Sequence, residues 1–163
     1  MPIVHKTGSL FDVPVGSLLI HAVSTRSVWG SGIAKQFKVR FPESFQFYTE
    51  MCQQEGEDLL GKFIECSQEN GYTVLNLVTS LDYGAKKDSK AKILKSTREA
   101  LQLFFKIHQT SGMHGELHSC KFNSGLFGVP WEESEKVLLD VMKEIGYNYT
   151  WTVWSPKQGD LNG

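Results

Sequence analysis

Short apolar runs alternate with longer segments of helical periodicity along the chain, and this alternation does most to limit the folds open to it. SLLIHAV at 17–23 and YTVLNLV at 72–78 are apolar runs of strand length, the pattern of strands buried on both faces. The stretch before Asn123 reads as a third such strand, and YTWTVW at 149–154 as a last, alternating one. PIVHK at 2–6 and KFIEC at 62–66 read as edge strands. Over 91–108, Ile93, Leu94, Ala100, Leu101, Phe104 and Phe105 form a wide stripe at helical spacing, suited to packing on a sheet. Val137, Leu138, Val141, Met142 and Ile145 define the last helix. Ile33 and Phe37, then Phe45, Tyr48 and Met51, imply a helical pair interrupted at Pro42, which biases Phe41 away from helix. Strands alternating with helices predict an α/β sandwich around a mostly parallel sheet. In such folds ligands gather at the carboxyl ends of the strands.

Composition sets the outer bounds. A chain of 163 residues fits one domain, expected over 1–155 with a flexible tail at 156–163. At 40% hydrophobic and 21% charged residues it matches ordinary globular composition rather than a disordered or membrane chain. No run approaches the roughly 18 apolar residues of a spanning helix, so no membrane partner is expected. The N-terminal MPIVHKTGSLFDVP lacks the basic-then-apolar pattern of a secretory signal, and the expected location is cytoplasm or nucleus. Cys52, Cys66 and Cys120 match neither a disulfide framework nor a zinc pattern and read as buried thiols. No acidic cluster or His/Cys array calls for a metal, and no cofactor is expected. A net charge of −1 gives no general pull toward nucleic acid. The local exception is the basic stretch of Lys86–Lys95, with Lys86, Lys87, Lys90 and Lys92 at a helix start. It reads either as a solvated loop or as a contact for an anionic ligand or RNA.

Two glycine loops feed helices. STRSVWGSG follows the first buried strand and leads into IAKQF. Gly30 and Gly32 allow close backbone approach to an anion, and the helix beyond offers unpaired N–H groups. A plain turn also uses glycine in this way, and the string is neither a Walker A nor a dinucleotide fingerprint. The second loop, NSGLFGVPWEESEKVLLDV from residue 123, supplies Asn123, Ser124, Gly125 and Gly128 ahead of a helix opened by Pro130, Glu132 and Glu133. Two such loops on one sheet could grip the two phosphates of a diphosphate, one from each side.

These residues resemble the macrodomain family of ADP-ribose-binding modules over nearly the whole chain. VHKTGSLFD resembles the family's opening element, LIHAVSTRSVWGSGIAKQFKVRFP its first ligand loop and helix, and FNSGLFGVPW its second loop. The branch most similar is the fungal-type ADP-ribose 1''-phosphate phosphatase. The resemblance implies a three-layer α/β/α sandwich with a mixed, mostly parallel sheet. It also implies that Gly30, Ser31, Gly32 and Ile33 hold one phosphate through backbone N–H groups. Ser124, Gly125, Leu126, Phe127 and Gly128 would hold the other phosphate and the distal ribose, and Ser9 and Leu10 would lie beside the adenine. Ser9 stands where most members carry an adenine-binding aspartate, leaving Asp12 as a substitute. Ser24 stands where hydrolytic deacylase-like members carry asparagine. Ser80 and Phe127 occupy the lysine and aspartate positions of the terminal ADP-ribose protein glycohydrolase branch, which disfavours a lysine adduct.

Among residues that could carry chemistry, His21 ends an apolar strand beside the first loop, and an imidazole titrates near neutral pH as a general acid or base requires. A core histidine with both nitrogens bonded is the competing reading. With His21 handling a proton, Asn123 and the loop backbones would stabilise charge on a transferred phosphoryl group, while Ser24 or Thr25 would orient water. Arg26 could reach a terminal phosphate or face solvent. Trp29 could wall the distal ribose or be buried, and Trp131 packs the helix start. The implied reaction removes the 1''-phosphate of ADP-ribose 1''-phosphate, a by-product of tRNA splicing. The alternatives are a non-catalytic reader of ADP-ribose, free or on ADP-ribosylated protein, and an ADP-ribosyl or O-acyl-ADP-ribose hydrolase. The family suggests a monomer.

Overall fold

The computed structural model describes residues 2–30, 32–112 and 115–157. Six strands form one sheet: β1 (Ile3–Thr7), β2 (Leu18–Ser24), β3 (Phe63–Glu69), β4 (Tyr72–Ser80), β5 (Leu117–Ser119) and β6 (Trp151–Ser155), in the spatial order β1-β6-β5-β2-β4-β3. Every pairing is parallel except β3 with β4. The sheet is therefore mixed and mostly parallel, with the two expected edge strands at its edges. β2 is buried almost throughout, as its unbroken apolar run requires of a strand covered on both faces. β3 alternates over its first four residues, as befits an edge strand.

Among the described residues four α-helices cover the sheet: α1 (Gly32–Arg40), α2 (Pro42–Glu55), α3 (Lys90–Ser111) and α4 (Trp131–Ile145). His21 and its register partner Asn76 face the α1–α2 layer, since the His21 ring stacks on Phe37 of α1. Thr79, of opposite strand parity to Asn76, faces the other layer, where α3 and α4 pack together and α3 packs on β4. The three layers implied by the resemblance are thus present.

Local chemistry sets the helix ends. Phe41, with φ −131 and ψ 65, breaks α1 from α2, as the proline after it demands. The buried carboxylate of Glu69 on β3 accepts from the backbone N–H groups of Glu43 at 3.1 Å and Ser44 at 2.7 Å, capping α2 from a neighbouring element. Ser89 caps α3, accepting from Lys92 N–H at 3.3 Å. Pro130 sits at the N-cap of α4, one residue before the first helical turn where its sequence signature had placed it, and Gly146 closes the helix at φ 72. All three cysteines are buried free thiols, and burial pushes those of Cys66 and Cys120 up to about 12, which leaves them unreactive. Residues 156–157 follow β6 without regular structure, while the rest of the expected tail, 158–163, lies outside the described residues.

Candidate ligand-binding site

The parallel strands β2 and β4 are adjacent, so the loops that follow them meet at one end of the sheet. A cavity of about 330 Å³ opens there. Ala22, Val23 and Ser24 at the end of β2 form its floor; Val28, Gly30 and the first turn of α1, from Gly32 to Ala34, form one wall. Leu126 and Phe127 of the second glycine loop stand opposite, and Tyr83, Gly84 and Lys87 from the loop after β4 form a third wall. Most of this lining is backbone and apolar carbon. Its anion-binding capacity comes from N–H groups: those of Gly30 and Gly32 on one side, and of Leu126 and Phe127 on the other, have no acceptor among the described residues. The N-terminus of α1 adds its dipole on the cavity side. Gly32 holds φ 61, a conformation that a side chain would strain.

The second loop is shaped from beneath by Asn123. This residue is buried at φ 68, and its side-chain oxygen accepts from the Thr79 hydroxyl at 2.8 Å. Its amide donates to Thr97 Oγ1 at 3.0 Å and Ser134 Oγ at 3.2 Å, and its backbone carbonyl accepts from Val129 N–H at 2.9 Å. One side chain thereby joins β4, α3 and α4 under the loop. Ser124 turns away, its hydroxyl donating to the Lys121 carbonyl, and Gly128 N–H donates to the Gly125 carbonyl at 3.0 Å. The expectation that Asn123 stabilises transferred charge is corrected by this arrangement: its amide is fully used inside the fold. Ser124, Gly125 and Gly128 likewise build the loop rather than line the cavity.

His21 is also corrected as a proton carrier. Its ring is 1% exposed, does not line the cavity, and lies between Phe37, stacked at 4.0 Å, and Trp29, edge-on at 4.9 Å. Asn76 fixes its tautomer. The Asn76 amide donates to the Ile64 carbonyl at 2.9 Å, so its oxygen faces His21 and accepts the Nε2 proton at 2.6 Å. Burial lowers the imidazole to about 4, against a smaller opposing effect of the Asn76 bond. The ring is neutral at physiological pH. The core reading prevails, except that Nδ1 has no hydrogen-bond partner among the described residues.

Ser24 is the expected catalytic residue that does line the cavity. Its Oγ accepts from Arg26 N–H at 3.2 Å, and its carbonyl accepts from the Tyr48 hydroxyl, which holds the strand end to α2. Thr25 instead donates to the Leu81 carbonyl at 2.7 Å. Arg26 turns outward to Asp82 at 3.4 Å and Glu57 at 3.3 Å rather than toward the cavity. Trp29 is 1% exposed and stacks on Tyr48 at 5.2 Å, so it anchors the first loop from below and is not a wall. Trp131 packs on Phe122 at the start of α4, as expected. Ser9 caps a one-turn 3₁₀ helix by accepting from Phe11 N–H at 3.1 Å; Ser9, buried Leu10 and exposed Asp12 all lie outside the cavity lining. Ser31 lies outside the described residues.

Tyr83, Gly84 and Lys87 are the lining residues that the motif reading passed over. Their only sequence signal was the basic stretch, which sits here because β4 neighbours β2. Ser80 and Asp88 clasp the base of this loop: Ser80 Oγ donates to the Asp82 carbonyl at 2.7 Å and accepts from Asp88 N–H at 3.0 Å, while Asp88 accepts from Leu81 N–H at 3.1 Å. Lys90 turns to Glu133 at 3.1 Å. Among the described residues no group of three or more His, Cys, Asp or Glu could hold a metal, and no helix is long and apolar enough to cross a membrane.

An ADP-ribose 1''-phosphate phosphatase of Aspergillus clavatus is 32% identical, with 96% of each chain covered, and one of Chaetomium globosum is 33% identical over 83% of this chain and 82% of its own. Among solved structures, the macrodomain of Mycobacterium tuberculosis DarG superimposes with a TM-score of 0.77 at 23% identity, covering 95% of this chain and 98% of that one. Thermosipho africanus DarTG in complex with ADP-ribose gives 0.71 at 15% identity, over 90% of this chain and 39% of that one. The family profile described as Macro domain matches residues 20–138, which take in both glycine loops and the β4–α3 loop between them, and the chain belongs to the macrodomain family.

Proposed function

We propose that this protein binds ADP-ribose in the cavity and hydrolyses the 1''-phosphate of ADP-ribose 1''-phosphate. The observation that carries the proposal is the pairing of two glycine loops across one cavity, with unused N–H groups on both sides. Such a pair fits a diphosphate, and the relatives named as phosphatases supply the phosphomonoester. In the reaction a water oxygen bonds to phosphorus as the bond from phosphorus to the ribosyl oxygen breaks. Inorganic phosphate departs, and the ribosyl oxygen takes up a proton. This chemistry depends chiefly on position and charge stabilisation. The loop N–H groups supply the stabilisation, and Ser24 orients water. His21 and Asn123 are positioning residues, the first setting Trp29 and the end of β2, the second the second loop.

One observation favours a second reading. No imidazole or carboxylate lines the cavity among the described residues, so a group that moves a proton at neutral pH is lacking there, as in a module that reads ADP-ribose on ADP-ribosylated protein. Phosphate release from ADP-ribose 1''-phosphate, measured beside calorimetric titration with ADP-ribose, separates the two. Wild type releases phosphate and binds ADP-ribose, whereas Gly32→Glu, which strains φ 61 and puts a carboxylate at the anion site, loses both with its circular dichroism unchanged. Binding without release would establish the reader. Unchanged binding in Gly32→Glu would refute the site.

A further inference from the structure

We propose that Lys87 is the specificity-determining residue that distinguishes the terminally phosphorylated ligand from ADP-ribose itself, an inference that rests on the phosphatase reading of the same cavity. Lys87 is the one charged side chain in the cavity lining among the described residues. Two nearby cations are spent elsewhere, Arg26 on Asp82 and Glu57, Lys90 on Glu133. Lys87 has no carboxylate within ion-pair distance among the described residues, and Lys86 does not line the cavity.

Its placement is built. The Lys87 N–H donates to the Gly84 carbonyl at 3.2 Å, and the Ser80–Asp88 clasp closes the loop on either side. The side chain runs toward the second glycine loop, its Cε 3.9 Å from where a Cβ on Gly128 would stand. The ammonium is thus carried on the third wall, next to the loop pair but belonging to neither. A diphosphate held between the two glycine loops draws on backbone N–H groups. A monophosphate at the far end of the ligand brings a further charge of about −1.5 to −2, which neutral N–H groups balance poorly and a lysine balances well. Tyr83 and Gly84 complete this wall without adding charge.

The experiment compares wild type, Lys87→Gln, Lys87→Arg and Lys86→Gln, reading the affinity for ADP-ribose by calorimetry and KM and kcat for ADP-ribose 1''-phosphate by phosphate release. Lys87→Gln lowers kcat/KM for the phosphorylated ligand about 10-fold relative to its effect on ADP-ribose affinity, the size of one charge-assisted hydrogen bond. Lys87→Arg restores most of the loss, and Lys86→Gln behaves as wild type. Equal effects of Lys87→Gln on both ligands overturn the inference and make Lys87 a diphosphate ligand. No effect on either also overturns it. Should wild type release no phosphate, the phosphatase reading fails, and the ratio of the two dissociation constants, then measurable directly, still decides whether Lys87 reads the extra phosphate.

Discussion

His21 shows how far one residue can be read from sequence. Its position at the end of a buried strand beside the first loop follows from SLLIHAV. Its role does not, because strand periodicity fixes which side chains share a face without revealing what covers that face. Here Phe37 and Trp29 close over the ring. The consequence is a pH-dependent stability. The group titrates near 6.5 when unfolded and at about 4 when folded, so between these values the unfolded chain binds more protons. Its burial is therefore fully tolerated above pH 6.5 and costs progressively more as pH falls to 4, about 3 kcal/mol in all. Urea unfolding at pH 7 and pH 4 measures this loss, and His21→Gln shows a flatter profile over the same window. An equally steep profile in the variant would mean that the lost stability comes from other groups.

At the scale of elements, both glycine loops were legible, because a buried strand, a glycine-containing loop and a helix occur in sequence order. The third wall was not. Its residues become neighbours of the first loop only because β4 pairs with β2, a contact between segments more than fifty residues apart. Asn123 illustrates the same limit: NSGLFG marks the loop, yet the partners Thr79, Thr97 and Ser134 come from three other elements. Asn123→Ala removes those side-chain bonds and leaves alanine in left-handed backbone. A loss of about 3 kcal/mol in unfolding free energy is expected, with ADP-ribose affinity reduced in the fraction that remains folded, as titration calorimetry would reveal. Thr79→Val, which removes one of the bonds, has a smaller effect in the same direction.

For the whole molecule, the layer architecture was legible from alternation, whereas the strand order was not. β1 near the start of the chain pairs with β6 near its end, and β5 is a strand of only three residues. That short strand joins the β1–β6 pair to the β2–β4–β3 group, so the continuity of the sheet depends on it. Gly115 admits the chain to β5 with no room for a side chain: an added Cβ would collide with Leu18 Cδ1 and lie 2.6 Å from the Gly16 carbonyl oxygen. Backbone cannot yield there as a flexible side chain would. Gly115→Ala is expected to lower the unfolding free energy by about 2 kcal/mol, seen as an earlier urea midpoint, although the residue is remote from the cavity lining.

The bonds beneath the second loop bear finally on how fast a ligand can be captured. Holding a residue in one backbone conformation costs about 1–2 kcal/mol, and for residues 123–129 that ordering is completed as Asn123 is enclosed by β4, α3 and α4. An arriving anion meets a cradle already shaped. Capture is then governed by diffusional encounter and orientation, with no wait for a loop to fold around the ligand.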